Sequence, residues 1–243
     1  TNTTVNFINA FKSDPLLNKL LAYDLFRDVI VYTRTPYFDK TKVKGDVLDD
    51  TGVAVIKCRI ERLHSLYAKD RLNDVIEVLA LENSFHPIKD YLNEQEWDFI
   101  PRIDTFMHDY MGAEQNIYTA EAFRKMLVAA VARIFEPGTK FIMVSEQGVG
   151  KSTLIRGLSN GWFNDSLVSM EGTKAYEALQ KSWLVELAEL SALKKTDIET
   201  MKNFISKTED TYRAAYAMRV KTHRRQCVFF GSTNNDDFLK DPT

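Results

Sequence analysis

Between residues 141 and 158 a short apolar run, Phe141-Ile142-Met143-Val144, gives way to a glycine-containing turn, Gln147-Gly148-Val149-Gly150. The turn runs into Lys151-Ser152-Thr153 and then Leu154-Ile155-Arg156-Gly157-Leu158. A strand, a turn of this kind and a helix opening on Lys-Ser-Thr form the context of a phosphate-binding loop, and they commit the surrounding chain to an α/β arrangement. Gly148 and Gly150 carry no Cβ, so the backbone can approach phosphate oxygens and point successive N–H groups at them. The helix N-terminus adds the positive end of its dipole. On this reading Gln147, Gly148, Val149, Gly150, Lys151, Ser152 and Thr153 contact the nucleotide. Lys151 reaches the β- and γ-phosphates, and the Ser152 hydroxyl binds Mg²⁺. The usual pattern is G-x-x-x-x-G-K-[ST], and its first glycine position is Ser145 here. Serine completes such a turn at negative φ, so the loop reads as a variant. The alternative is a chance Gly-Lys-Ser triplet on a surface turn; the strand before it and an acidic strand downstream favour the loop.

With 243 residues, 44% of them hydrophobic, the chain has material for one large domain or two modest ones. Its formal net charge of −2 supplies no global field for DNA or membrane, so contact with a polyanion requires a local patch. Cys58 and Cys227 are the only cysteines, too few for a disulfide framework, and His64, His86, His108 and His223 lack metal-site spacing. The longest apolar run, Met126 to Ala132, is far short of a membrane span, and Thr1-Asn2-Thr3-Thr4 has no signal-peptide character. A cytoplasmic protein with no membrane partner is the expectation. Both ends read as cut, the chain stopping at Asp241-Pro242-Thr243.

The helical stripes predict a mostly helical N-terminal domain over 1–105, and the strand–loop–helix signature predicts a P-loop ATPase domain over 106–243 that reads as truncated at its C-terminus. Asp14-Pro15 reads as a helix start, followed by Leu16, Leu17, Leu20 and Leu21 on one face. Val53, Ile56, Ile60, Leu63 and Tyr67 form a second stripe, and Leu72, Val75, Ile76 and Leu79 a third. The stretch from Tyr37 to Asp50 carries charges of both signs and reads as a solvated connection. Pro87 can open the next helix, and Thr119 caps a strong helix from Ala120 to Phe135 that Pro137-Gly138 ends. Beyond it strands and helices alternate. Leu167–Met170 reads as a short strand, Ala175–Leu179 as a helix and Trp183–Leu187 as a strand. Thr196-Asp197-Ile198-Glu199 is a capping box, and Cys227–Phe230 is the last strand. This alternation predicts a parallel sheet flanked by helices, with its ligand at the carboxyl edge.

Three further groups suit triphosphate hydrolysis. Glu186, at the end of an apolar strand, can hold the Mg²⁺ shell, and Glu189, three residues on, can orient or deprotonate the attacking water; the division of roles stays open because such acidic pairs usually sit side by side, and a solvated carboxylate on the turn is the competing reading of Glu189. Asn234, after Phe230-Gly231-Ser232-Thr233, can sense the γ-phosphate, with Asn235 as the alternative, though Asn234-Asn235-Asp236-Asp237 is also rich in turn formers. Between these strands lies a basic, aromatic stretch holding Arg213, Arg219 and Lys221, with Tyr212 and Tyr216 interleaved. It suits a phosphate backbone and unpaired bases, and a solvated loop is the competing reading. Arg224 or Arg225 could instead serve a neighbouring subunit's ATP as an arginine finger.

Four runs resemble the virulence-associated protein E family. They are Trp183-Leu184-Val185-Glu186-Leu187-Ala188-Glu189-Leu190, Lys202-Asn203-Phe204-Ile205-Ser206, Asp210-Thr211-Tyr212-Arg213-Ala214-Ala215-Tyr216 and Arg225-Gln226-Cys227-Val228-Phe229-Phe230-Gly231-Ser232-Thr233-Asn234. His86 to Leu92, Trp97-Asp98 and Ala130-Val131-Ala132-Arg133 are similar too, so the resemblance runs from about Phe85 to the end. It implies an AAA+-like P-loop NTPase fold similar to superfamily 3 helicases. The activity implied is ATP hydrolysis with Mg²⁺ by a DNA helicase or translocase in replication of a phage, plasmid or other mobile element. It also implies a DNA-gripping hairpin in the basic stretch, single-stranded or origin DNA as partner, and a homo-oligomeric ring when full-length. Family members usually continue past this chain's end with Gly and paired arginines. A small-molecule or nucleoside kinase and a nucleotide-gated interaction module without turnover are the competing readings.

Overall fold

The computed structural model describes residues 2–138, 142–146, 151–167, 170, 172–187, 195–213 and 219–233; in 142–146, 151, 195–199 and 232–233 the description is of backbone alone. The chain divides into two compact units, Thr1–Tyr91 and Leu92–Thr243. The boundary expected after residue 105 falls inside helix α5 (Ile103–Met111) of the second unit.

The first unit opens with α1 (Thr4–Ser13), where the Thr3 side chain accepts from the Asn6 amide. The helix ends at Asp14 instead of beginning there, which corrects the sequence reading. Asp14 Oδ1 accepts from the Leu16 amide at 2.9 Å, and Arg59 Nε lies 2.5 Å from Oδ2. Burial pushes the Asp14 carboxyl up, but the Arg59 guanidinium and the Leu16 amide together hold it below the usual carboxylate range. The leucines that follow enter the core through a turn and a strand; Leu17, Leu20 and Leu21 are buried while Leu16 is not. Strands β1 (Leu21–Asp24) and β2 (Val29–Tyr32) pair antiparallel, Leu21 opposite Tyr32. Asp24 Oδ1 holds their turn, accepting from the Phe26 and Arg27 amides at 2.9 Å each.

Helix α2 (Asp50–His64) is capped by Asp49, which accepts from the Gly52 amide at 2.8 Å. Its stripe buries Ile56 and Ile60 but leaves Leu63 and the following Tyr67 exposed. Helix α3 (Lys69–Glu82) buries all four of Leu72, Val75, Ile76 and Leu79, and Pro87 opens α4 (Pro87–Asn93). These faces close over Phe7, Phe11 and Tyr32 as one core.

In the second unit α5 precedes α6 (Ile117–Phe135), whose cap is Asn116 and not Thr119, because Asn116 Oδ1 accepts from the Thr119 amide at 2.8 Å. The alternating part follows as β3 (Ile142–Glu146), α7 (Lys151–Leu158), β4 (Phe163–Asn164), α8 (Thr173–Leu179), β5 (Leu184–Leu187) and α9 (Lys195–Ser206). It closes with β6 (Glu209–Tyr212), β7 (Lys221–Arg224) and β8 (Val228–Thr233). Four strands form a parallel sheet in the order β3-β8-β5-β4, and β6 and β7 make a separate antiparallel ribbon. The short strand expected at Leu167–Met170 lies partly outside the described residues; the edge strand observed is β4. The second unit is mixed α/β with a small parallel sheet, and the first is mainly helical with a two-stranded hairpin. No described helix is long and apolar enough to cross a membrane.

Gly52 leaves no room for a side chain. A Cβ there would lie 2.0 Å from Tyr32 Oη and 2.8 Å from a Leu48 methyl. Tyr32 is 1% exposed and its hydroxyl has no hydrogen-bond partner among the described residues. Gly52→Ala is therefore expected to lower stability by about 1–3 kcal/mol, as core overpacking does. Tyr32→Phe, which removes the unpartnered hydroxyl, should be neutral or stabilising. Chemical denaturation of the two variants checks both signs.

Candidate functional site

Side chains alternate along β5. Val185 and Leu187 join Phe229 of β8 in a core with Ala175 and Leu179 of α8 and Met201, Phe204 and Ile205 of α9. Glu186 therefore faces the opposite side of the sheet. It is the penultimate residue of β5, sits opposite Phe230 of β8, and is 8% exposed. On that side the first turn of α7 meets it: Ser152 Oγ donates to Glu186 Oε1 at 2.7 Å, across 34 residues of sequence. Ile155, one turn on, is buried and anchors α7. The carboxylate makes this a charge-assisted contact, stronger than one between neutral groups.

The site thus brings together a hydroxyl at a helix start and a carboxylate at a strand end, both hard oxygen donors. Lys151 is the first residue of α7, with its side chain outside the described part, and Thr153 is exposed on the same turn. Gln147, Gly148, Val149, Gly150, Glu189 and Asn234 lie outside the described residues. Strand β8 runs between β3 and β5, with Thr233 in register with Glu146. Among the described residues no three His, Cys, Asp or Glu side chains gather on one point.

The basic stretch forms the β6–β7 ribbon, with Glu209 opposite Arg224, Asp210 opposite His223, Thr211 opposite Thr222 and Tyr212 opposite Lys221. Arg213, Arg219, Lys221 and Arg224 are exposed, Arg213 and Arg219 lying in the connection at the ribbon's far end. Tyr212 is buried, stacking on His223 at 4.8 Å and lying 5.8 Å from Tyr176 of α8, while Tyr216 lies outside the described residues.

Arg225 departs from its expected role. It is 3% exposed, and its guanidinium donates to both carboxylate oxygens of Asp210 at 2.6 and 2.7 Å and to the Phe204 carbonyl. A guanidinium held this way inside its own unit cannot project into a neighbour's site, so Arg224 is the exposed member of that pair. The residue-by-residue reading missed Asp210 as this partner. The sequence carried no clear signal for it: Glu209-Asp210-Thr211-Tyr212 alternates exposed and buried, but three of the four residues are polar, so no period-two hydropathy marks the strand. It also missed Arg133 of α6, fully buried and donating to the Cys227 carbonyl, and burial pushes its guanidinium pKa down. Trp183 Nε1 donates to the Ala130 carbonyl at 2.8 Å, a second tie between α6 and the sheet.

The virulence-associated protein E-like domain family matches residues 92–243, the whole of the second unit. The chain belongs to this family, which points to a phage- or plasmid-associated protein. The match begins at 92 and not near Phe85, so His86 to Tyr91 fall outside it. No curated protein matches the chain.

Proposed function

We propose that the second unit is an AAA+-like P-loop ATPase domain that hydrolyses ATP with Mg²⁺ and acts on DNA during replication of a phage, plasmid or other mobile element. The observation that carries the reading is the Ser152 Oγ–Glu186 Oε1 contact of 2.7 Å at the carboxyl edge of a parallel sheet. Open α/β sheets bind ligands at that edge, and a helix start favours phosphate there. The strand order adds support, because β8 lies between β3, which precedes the Lys-Ser turn, and β5, which carries Glu186. Asn234, the residue after β8, thereby follows a strand adjacent to both.

Hydroxyl and carboxylate oxygens fit Mg²⁺, which takes one or two protein oxygens and completes its shell with phosphates and water. Ser152 and Glu186 would hold it, and the ion, when bound, neutralises charge on the β- and γ-phosphate oxygens. Amides around Gly150 cradle the triphosphate, and Lys151 neutralises the terminal phosphates. Glu189 accepts a proton from the attacking water, which Asn234 orients. The bond between the γ-phosphorus and the β–γ bridging oxygen breaks, and ADP and phosphate leave. Arg213, Arg219 and Lys221 on the ribbon contact single-stranded DNA, Arg224 serves as arginine finger in a homo-oligomeric ring, and the protein works in the cytoplasm.

Lys151→Ala is expected to reduce ATP turnover by about 10²-fold or more, as loss of a charge-stabilising group does. Glu186→Gln should keep the Ser152 hydrogen bond yet abolish the Mg²⁺ dependence of nucleotide affinity. Phosphate release checks the first and calorimetry with and without Mg²⁺ the second. Unchanged turnover in Lys151→Ala, or a phosphorylated acceptor in place of free phosphate, would contradict the assignment.

The ribbon generates a separate expectation. Arg219→Ala and Lys221→Ala should each weaken single-stranded DNA binding, whatever the sequence. Each should also flatten the dependence of log affinity on log salt by about 0.7. Fluorescence-anisotropy titrations over a range of salt concentrations measure both effects.

A further inference from the structure

The candidate nucleotide site and the ribbon belong to the second unit. The first unit holds a cavity of its own, about 320 Å³, where the C-terminal ends of α1 and α3 meet the turn that leads into β1. Small-molecule sites run from roughly 300 to 1,000 Å³, so the space suits a compact ligand. Its floor is apolar. Phe11 of α1, Leu17 and Leu20 of the turn, Leu21 of β1 and Leu79 of α3 line it, each no more than 9% exposed and each part of the unit's core.

The rim is charged. Lys12 in the last turn of α1 lies 2.8 Å from Glu82 at the end of α3, so these two charges offset one another. Lys19 is the other rim cation. It is exposed and has no ion-pair partner among the described residues. Its backbone is held in the left-handed region, with φ of +52°, and its carbonyl accepts from Thr33 Oγ1 at 2.6 Å and from Arg34 Nη1 at 3.3 Å. A residue with a Cβ persists there only where its surroundings hold it, and such strain gathers at ligand sites.

Two helix C-termini ordinarily favour a cation, because their last carbonyls carry the negative end of the dipole. Here the chain has engaged those carbonyls itself. That of Ala10 accepts from the Asp14 amide and the Ser13 hydroxyl, both at 3.2 Å. That of Leu79 accepts from Asn83 Nδ2 at 3.0 Å, and those of Ala80 and Leu81 accept from the Asn83 and Ser84 amides at 3.1 Å each. In the turn, the Asn18 carbonyl accepts from Arg34 Nη2 at 3.0 Å and the Leu20 carbonyl from the Thr33 amide at 2.9 Å. A cationic head would compete with all of these donors, whereas an anionic head meets the Lys19 ammonium.

We propose that this cavity binds a small amphipathic carboxylate, its apolar body on the leucine and phenylalanine floor and its carboxylate against Lys19. The site is independent of the nucleotide reading and lies in the unit that precedes the family match.

Three probes with one aliphatic body and different heads test it on the full chain: octanoate, octylammonium and octanol. Methyl NMR of Leu17, Leu21 and Leu79 reads the floor directly. Octanoate should move these methyls saturably with Kd of about 1 mM, as expected for a ligand of about ten heavy atoms. Octylammonium should bind about fivefold or more weakly. Lys19→Gln should weaken octanoate by about fivefold, the size of one exposed charge pair, and leave octanol unchanged. Shifts that never saturate, or that spare these methyls, would overturn the proposal. Equal affinity for octanoate and octylammonium would do so too, as would a Lys19→Gln chain that holds octanoate as tightly as the unaltered one. The comparison of heads uses the unaltered chain alone, so it decides the matter even if Lys19→Gln fails to fold.

Discussion

A hydroxyl from the first turn of a helix and a carboxylate from a nearly buried strand meet at 2.7 Å, although 34 residues separate them. Three constraints produce the meeting. Alternation along β5 turns Glu186 away from the α8–α9 core, the parallel sheet sets the ends of β3, β8 and β5 at one edge, and α7 begins at that edge with Lys151. Burying a carboxylate is costly unless it is hydrogen-bonded. Ser152 supplies that bond from a residue type that can also coordinate a hard cation. The same pair can thus satisfy itself without an ion and serve one when it arrives, so the pair carries the functional reading.

The second buried charge arrangement has a different character. Arg225 and Asp210 are almost wholly buried, and taking two charges out of water is expensive. Bidentate geometry, the Phe204 carbonyl and the flanking Phe204 and Phe229 rings offset that cost. Removing one partner of such a pair typically costs about 3–5 kcal/mol, because the other charge is left uncompensated. The pair stands where the chain leaves the ribbon for β8, and an apolar contact there would hold the ribbon less directionally. Arg133, buried on α6 with the Cys227 carbonyl as acceptor, braces the same crossing from the helix before β3.

Much of the second unit was legible because its signals are local. The Lys-Ser-Thr turn, the apolar run ending in Glu186 and the apolar run Cys227–Phe230 each announce an element without help from distant residues. The parallel sheet then follows from their alternation with helices. The family resemblance already implied a hairpin in the basic stretch. What the residues alone did not show was its register, since Glu209, Asp210 and Thr211 are polar whichever face they take, and so Asp210 went unpaired with Arg225. In the first unit, Leu16, Leu17, Leu20 and Leu21 mimic a helical face. The deciding group is Arg59, which holds Asp14 from 45 positions away and was invisible to local periodicity. Val29-Ile30-Val31-Tyr32, rich in β-branched residues, was the overlooked strand signal. At the site, Ser152 and Glu186 were each readable, but their direct contact depends on how α7 is set against the sheet.

The most direct measurement is a crystal structure of the chain with a non-hydrolysable ATP analogue and Mg²⁺. The account predicts the triphosphate against residues 147–153, with the Ser152 hydroxyl and the Glu186 carboxylate parted and both facing one metal ion. A nucleotide bound elsewhere, with the Ser152–Glu186 hydrogen bond still closed, would contradict it.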